Sequence, residues 1–378
     1  MPALPDFRLE THFSTWEFTA RHHRTASDAE TMAMRDLLAL ADDADRAAWE
    51  TLTLGYTPTW GAPALRAAIA ATYETITPDD VLTFAGAEEG LYAAMLALLD
   101  RDDHAIVTVP NYQSMETLPL QFAGSVTGVP LRPENDFRLD LDDIRQALRP
   151  NTRLIAVNFP NNPTGSIADQ ATFRNLATLC AECGIHLFSD EVYRGLERDE
   201  SLRLPQAADL FERGVSLNVM SKAYGMPGLR IGWIACRDRA LLDRMEKTKH
   251  YLSICNARPA EVLATIALKA REKILARNRA LCAANIEALT GFFSDFADLY
   301  DWQAPDGGCV GFPRYRGADG VEAHCRGLVE EAGVLLLPAS LYVSDLLPAP
   351  TDRFRVGFGR SNIEAGLAAW RGYLRPDG

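Results

Sequence analysis

Short apolar runs of strand length alternate with stretches of helical periodicity between Leu65 and Cys236, and this alternation restricts the fold more than any other feature. Such runs are apolar along both strand faces, so both faces need cover. The pattern is typical of α/β proteins, in which helices cover a mostly parallel sheet. It predicts helices at Pro63–Tyr73 and Gly90–Leu99, and strands at Val81–Phe84, Ala105–Val109, Ser125–Val129, Leu154–Asn158, His186–Ser189, Ser216–Met220 and Ile231–Ala235.

The last third of the chain has a different pattern. No proline interrupts a helical periodicity from Pro259 to Phe293, which predicts one long helix. Weaker patterns follow, with strands expected at 310–313, 334–337 and 353–358 and helices at 321–332 and 363–373. A chain of 378 residues is long enough for two domains. We expect a large domain at residues 48–270 and a smaller α/β domain made of residues 1–47 and 271–378.

The charge of the chain restricts its partners. A formal net charge of -13 argues against nucleic acid or an anionic membrane as a partner. No apolar run reaches the length of a membrane-spanning helix. The segment from Met1 to Phe13 lacks the apolar stretch of a secretory signal, which favours a cytoplasmic protein.

The seven cysteines are scattered through apolar segments. Cys180 and Cys183 form a C-x-x-C pair within a predicted helix, but no partners lie at the spacing of a metal or redox site. We therefore expect buried or half-buried thiols in a reducing compartment, and no metal site.

A lysine follows one of the predicted strands in a loop rich in turn residues. Lys222, with Ser221 before it and Arg230 eight residues later, can place an amine, a hydroxyl and a guanidinium around one anion. The run S-K-A-Y-G-M-P-G-L-R-I-G-W resembles the lysine motif of class I/II (fold-type I) aminotransferases. The resemblance implies that Lys222 binds pyridoxal phosphate (PLP) as a Schiff base and moves protons at Cα of the substrate. It also implies that Ser221 and Arg230 bind the cofactor phosphate.

An acid ends another predicted strand. Asp190 lies where open α/β sheets bind ligands, at the carboxyl edge of the sheet. The run S-D-E-V-Y is similar to a second motif of the family. It implies that Asp190 keeps the PLP ring nitrogen protonated and that Tyr193 binds the ring oxygen. The adjacent Glu191 is expected to point to the other face of the strand.

Two turns follow further strands. The run N-N-P-T-G at residues 161–165 resembles the asparagine motif of the family, which implies that Asn162 lies at the PLP ring oxygen and beside the substrate. The turn from Phe84 to Gly90 opens a helix, whose first N–H groups favour an anion. The family uses such a turn for the phosphate, which implicates the backbone of Ala87 and Glu88 and requires the Glu88 side chain to point away.

Two tyrosines match positions of the family. Tyr112 follows a strand, and the resemblance implies that it stacks on the PLP ring. Tyr56 matches a tyrosine that reaches the phosphate in the neighbouring subunit, which implies a homodimer.

An arginine-rich strand lies near the end of the chain. Arg353 and Arg355 alternate with apolar residues, and Arg355 matches the family arginine that forks onto the substrate α-carboxylate. Arg360 either adds to the same pocket or is a solvated charge at the end of the strand.

The N-terminal residues depart from the family pattern. Many relatives carry a glycine-proline segment here, whereas this chain has Trp16, Glu17 and Asp28. These side chains either meet a cationic or polar substrate or belong to a capped surface helix.

The resemblance implies a PLP-dependent aminotransferase that moves the amino group of an L-amino acid to a 2-oxo acid. The same site could instead serve a β- or γ-elimination lyase or a capreomycidine-synthase-like cyclase. PLP-binding folds also occur as sensor modules of transcription regulators, but the chain is acidic and shows no helix-turn-helix pattern.

Overall fold

The computed structural model describes residues 4–375. Its strands include all seven of those expected between residues 81 and 236, with ends displaced by one or two residues. The strands are β1 (His22–His23), β2 (Val81–Phe84), β3 (His104–Val109), β4 (Ser125–Pro130), β5 (Thr152–Asn158), β6 (His186–Asp190), β7 (Gly214–Val219), β8 (Gly232–Cys236), β9 (Tyr300–Asp301), β10 (Val310–Gly311), β11 (Arg314–Tyr315), β12 (Val334–Leu335), β13 (Leu337–Pro338) and β14 (Phe354–Gly357).

Helices precede, separate and follow these strands. They are α1 (Arg8–Trp16), α2 (Met34–Leu38), α3 (Asp43–Glu50), α4 (Pro63–Ala70), α5 (Ala87–Leu98), α6 (Ser114–Phe122), α7 (Leu141–Ala147), α8 (Gln170–Cys183), α9 (Ala207–Leu210), α10 (Arg239–Lys249), α11 (Arg258–Lys269), α12 (Arg271–Asp295), α13 (Val321–Gly327) and α14 (Ile363–Leu374). Helix α8 shows how the sequence sets such ends. The Asp169 carboxylate accepts the Thr172 N–H at its start, and Gly184 adopts a left-handed conformation at its end.

A seven-stranded sheet organises the molecule, in the order β2-β8-β7-β6-β5-β3-β4. Strand β8 runs antiparallel to both of its neighbours, and the other pairings are parallel. The predicted α/β fold with a mostly parallel sheet is therefore confirmed. Because the parallel strands end at one edge, the residues that follow β2, β3, β5, β6 and β7 meet there. Strand β8 begins at the same edge, since it runs the opposite way.

The prediction of one long helix from Pro259 to Phe293 is wrong. Two helices, α11 and α12, meet at Ala270, whose φ of -90° and ψ of 10° end the first helix. Helix α11 packs against α3 and α4, whereas α12 packs against α14. The break lets each helix follow its own packing partners, and no proline or glycine marks it in the sequence.

The last third of the chain forms short sheets rather than one. The run expected as a strand at 334–337 is split, because β12 pairs in parallel with β1 while β13 joins β14 and β10. The helix expected at 321–332 leaves α-helical geometry after Gly327 and continues as one π-helical turn. The division into domains at residues 48 and 270 stays a prediction, and residues 1–3 and 376–378 lie outside the described residues.

Residues 4–375 contain no helix that combines the length and the apolar character needed to span a bilayer. All seven cysteines are free thiols. Cys183 is exposed on the last turn of α8, so the expectation of a buried or half-buried thiol is wrong at that position. Within the described range, no group of three or more His, Cys, Asp and Glu side chains is arranged to hold a metal ion.

Candidate active site

Lys222 lies in a cavity of about 1550 Å³ at the carboxyl edge of the sheet. Its Nζ donates a hydrogen bond to Ser27 Oγ at 3.0 Å, and its carbonyl accepts from the Ala29 N–H at 3.1 Å. Burial lowers the pKa of the Lys222 ammonium. An amine whose pKa is lowered in this way is a better nucleophile and base near neutral pH.

A second buried lysine provides a contrast. Lys249 Nζ donates to the carbonyls of Thr59 and Thr83 at 2.5 and 2.6 Å and to Asn256 Oδ1 at 2.9 Å. All three of its N–H donors are thus used within the protein. Lys249 therefore has a structural role, and Lys222 is the amine that faces the cavity.

Asp190 ends β6 and lines the same cavity. One of its carboxylate oxygens accepts the Val192 N–H at 3.1 Å. Burial raises the pKa of Asp190 to about 6. As expected, Glu191 points elsewhere: it accepts from the Ala207 N–H at 2.9 Å and from Ser216 Oγ at 2.8 Å.

Arg355 is fully buried on β14, where three of its five N–H groups bind protein atoms. Its Nε and Nη2 donate to Thr25 Oγ1 (3.2 Å) and the Thr25 carbonyl (2.7 Å), and Nη1 donates to Asn162 Oδ1 (3.2 Å). The guanidinium also lies beside the Tyr342 hydroxyl, and Arg355 itself is buried behind the residues that line the cavity. The planar fork of an arginine is suited to the two oxygens of a carboxylate.

Asn158 positions two of the predicted residues. Its amide donates to the Asp190 carbonyl at 3.1 Å, and its side-chain oxygen accepts the Asn162 N–H at 2.8 Å. The last residue of β5 thereby ties the asparagine turn to the neighbouring strand. Asn158 precedes the N-N-P-T-G run, and no pattern in the sequence indicates this role.

Three of the predicted phosphate-binding groups converge at another part of the cavity. Helix α5 begins at Ala87, directly after Gly86 with a φ of 96°. The Arg230 guanidinium donates to the Ala85 carbonyl at 3.4 Å, and a side chain at position 86 would collide with it. Ser221 and Arg230 line the cavity beside this helix start. The positive φ favours glycine at this position, and the missing side chain leaves room for the arginine.

Glu88 and Tyr112 also line the cavity. The Glu88 carboxylate accepts from Ser114 Oγ at 3.0 Å, and burial raises the pKa of Glu88 to about 7. The ring of Tyr112 lies 5.2 Å from that of Phe7, and its hydroxyl donates to the Glu10 carboxylate at 3.0 Å. The Tyr112 ring also faces the cavity, where the resemblance places a stacking residue.

The cavity fits a pyridoxal phosphate. The Tyr193 hydroxyl is buried on the cavity wall near Ser27, yet within the described part of the chain it forms no hydrogen bond of good geometry. A buried hydroxyl without a partner is costly, and a ligand oxygen would satisfy it. With Lys222, the buried Asp190 and the cradle at Gly86, the residues present match what such a cofactor needs.

Arg360 and Tyr56, two further predicted residues, differ in whether they reach the cavity. Arg360 does enter the pocket, where it forks onto Asp28 with contacts of 2.6 and 3.0 Å. Tyr56 does not line the cavity of its own chain and is 90% exposed.

The sequence missed the residues that hold the catalytic side chains from the N-terminal side. Thr25 and Ser27 bind Arg355 and Lys222, and both lie in residues 22–30, a segment that is irregular after β1 ends at His23 and shows no periodicity. The sequence marks this stretch only by its departure from the glycine-proline pattern. That departure indicates an unusual segment but does not indicate which residues the segment contacts.

The fold and this cavity together define an enzyme that uses PLP. The chain belongs to the family "Aminotransferase class I and II", whose model matches residues 29–368. It is a PLP-dependent transferase of fold type I.

Relatives match along almost the whole chain. Capreomycidine synthase from Streptomyces vinaceus is 32% identical over 371 residues, which make up 97% of this chain and 93% of that protein. Among solved structures, a PLP-dependent aminotransferase from Streptococcus suis has a TM-score of 0.91 at 27% identity and covers 100% of this chain and 99% of its own. The PLP-dependent cyclase OrfR has a TM-score of 0.89 at 25% identity, with the same coverage.

Proposed function

We propose that the protein is an aminotransferase that moves the amino group of an L-amino acid to a 2-oxo acid. The observation that carries this proposal is the buried Arg355 guanidinium, held by Thr25 and Asn162 in the neighbourhood of the Lys222 amine. A carboxylate bound to that fork brings the adjacent Cα of an amino acid towards Lys222.

The residues then divide the work. Arg355 binds the α-carboxylate, and Thr25 and Asn162 fix the plane of its guanidinium. Lys222 removes the proton at Cα and later delivers it to a different atom. Ser27 Oγ accepts a hydrogen bond from Lys222 Nζ and so helps to hold the amine in position. PLP, when bound, supplies an electron sink for the charge left at Cα. Asp190 would hold the ring nitrogen, Tyr193 and Asn162 the ring oxygen, and Ser221, Arg230 and the first N–H groups of α5 the phosphate.

A second function has a specific observation in its favour. Capreomycidine synthase covers 97% of this chain and the cyclase OrfR covers 100% of it. Both a cyclase and an elimination lyase use the same proton removal at Cα. They differ from a transaminase in the next step, because a leaving group departs from the side chain and, in a cyclase, an internal nucleophile takes its place.

We also propose that the protein acts as a cytoplasmic homodimer. Tyr56 and Leu54 are 90% and 88% exposed in the single chain, an unusual state for large apolar side chains so close together. Burial of this stretch against a second copy would bring Tyr56 to the phosphate of the neighbouring site.

The experiment that tests the function is an absorbance titration of the PLP-loaded protein with single L-amino acids, including arginine, glutamate and alanine. A transaminase converts the cofactor to its amino form, and a 2-oxo acid reverses the change. A cofactor band that returns without any 2-oxo acid, together with a new product in mass spectrometry, would replace transamination by cyclisation or elimination. The same titration compares Lys222→Ala with Lys247→Ala, a matched control at an exposed lysine.

A further inference from the structure

Helix α1 and the residue that follows it present two carboxylates to the cavity, those of Glu10 and Glu17. Glu17 keeps helical backbone angles just after Trp16 and lies seven residues, close to two turns, beyond Glu10, so the two share one face. Both line the cavity, with Phe13 between them on the same face. The Phe13 ring lies 5.8 Å from the Arg355 guanidinium, so this helix face lies beside the α-carboxylate site.

The charges around these two glutamates are unbalanced. Across residues 4–375, neither Glu10 nor Glu17 forms an ion pair. Burial and the neighbouring carboxylates of Glu10 and Asp28 raise the pKa of Glu17. Arg360 and Lys222 lower the pKa of Glu17 but do not offset this rise, so a further cation would relieve the remaining repulsion.

The cations of the cavity are engaged elsewhere. Arg360 is forked onto Asp28, and the Arg24 guanidinium donates to the Ser361 carbonyl at 3.3 Å. Arg21 lies against Gly333, outside the helix face of Glu10 and Glu17. Arg230 and Lys222 lie at the positions proposed for the cofactor. The acidic face is therefore open to a ligand, whose α-carboxylate and Cα have their own partners in Arg355 and Lys222.

We propose that Glu10 and Glu17 select an L-amino acid with a cationic side chain, a guanidinium or an ammonium. The α-carboxylate of the substrate binds Arg355, its Cα lies at Lys222, and its side chain extends along α1. The Phe13 ring adds a face on which a cation is favoured. The inference rests on the proposed function, because it concerns the substrate of the same site.

The test compares L-arginine with L-citrulline, which has the same shape but carries a neutral urea group. Dissociation constants are measured from the absorbance of the PLP-loaded wild type, Glu10→Gln, Glu17→Gln and the double variant. Glu182→Gln, on the exposed face of α8, is the matched control. Thermal unfolding of each variant shows that the fold is retained.

We expect arginine to bind roughly tenfold more tightly than citrulline, and each glutamine variant to reduce that ratio roughly threefold with little change for citrulline. Equal binding of the two ligands in the wild type, or an unchanged ratio in the double variant, overturns the proposal. A protein that responds to alanine or glutamate but not to arginine overturns the substrate class alone. A protein whose spectrum responds to no amino acid overturns the proposed function as well.

Discussion

The two ends of the cavity are built in different ways. The cofactor end is formed by residues that follow successive strands of one sheet, so their positions are dictated by the fold. The substrate end is formed by α1 and residues 22–30, which reach the site from outside the sheet and bind Arg355, Lys222 and Arg360. In the proposed function, the sheet positions the groups for the chemistry, whereas α1 and residues 22–30 choose the substrate. Four variants test that division.

Lys222→Ala has the largest expected effect, because it removes the proposed cofactor bond and the proton acceptor together. We expect turnover to fall at least a hundredfold, which is the contribution typical of general base catalysis alone. Rates with the best amino acid, measured for this variant and for Lys247→Ala, test the expectation. Normal turnover in Lys222→Ala would show that the cofactor end is not part of the active site.

Arg355→Lys tests the substrate end. A lysine keeps the charge but cannot hold Thr25, Asn162 and a carboxylate at once, since it lacks the planar fork. We expect KM for the amino acid to rise about tenfold or more, with a smaller change in cofactor affinity. Steady-state kinetics and a PLP titration separate the two effects, and an equal loss in both would contradict the division between the ends.

Asp190→Asn separates function from stability at the cofactor end. Burial raises the pKa of Asp190 from 3.8 to about 6, so the folded protein without cofactor keeps a proton that the unfolded chain releases. The stability of that form therefore falls as the pH rises from about 4 to about 6, and it stays lower above that range.

The asparagine removes this penalty. At pH 8 and without cofactor, we expect the free energy of unfolding of Asp190→Asn to exceed that of the wild type by up to about 3 kcal/mol. At pH 5 we expect this difference to be smaller. PLP binding should weaken at the same time. Urea unfolding at both pH values measures the first effect, and a gain that does not depend on pH would show that Asp190 is not the group that titrates.

Ser27→Ala has the smallest expected effect. Lys222 Nζ loses its hydrogen-bond acceptor but keeps its place on the loop after β7. We expect turnover to fall roughly tenfold or less, with a shift in its pH profile, because the environment of the amine changes. Ser14→Ala, at an exposed position on α1, should leave the profile as it is. An unchanged pH profile of turnover in Ser27→Ala would mean that residues 22–30 affect the substrate but not the Lys222 amine.

The same division explains what the sequence could predict. Strands β2 to β8 follow from apolar runs with turn residues between them, and a parallel sheet then brings Asn162, Asp190 and Lys222 to one edge. These residues are separated in the chain but are positioned by a repeating local rule.

No such rule applies to Thr25, Ser27 or the end of α11 at Ala270. Their positions follow from packing against residues that are remote in the sequence. Thr25 lies 330 residues from Arg355. Local periodicity carries no information about a contact at that separation.

Residues 22–30 carry three contacts within four positions: Thr25 with Arg355, Ser27 with Lys222 and Asp28 with Arg360. Extended chain advances about 3.3 Å per residue and alternates the direction of its side chains. An insertion or deletion of one residue between Thr25 and Asp28 would displace at least one of the three contacts. The contacts therefore fix the length of this stretch, whereas the exposed side chains of α1 can differ without changing that length.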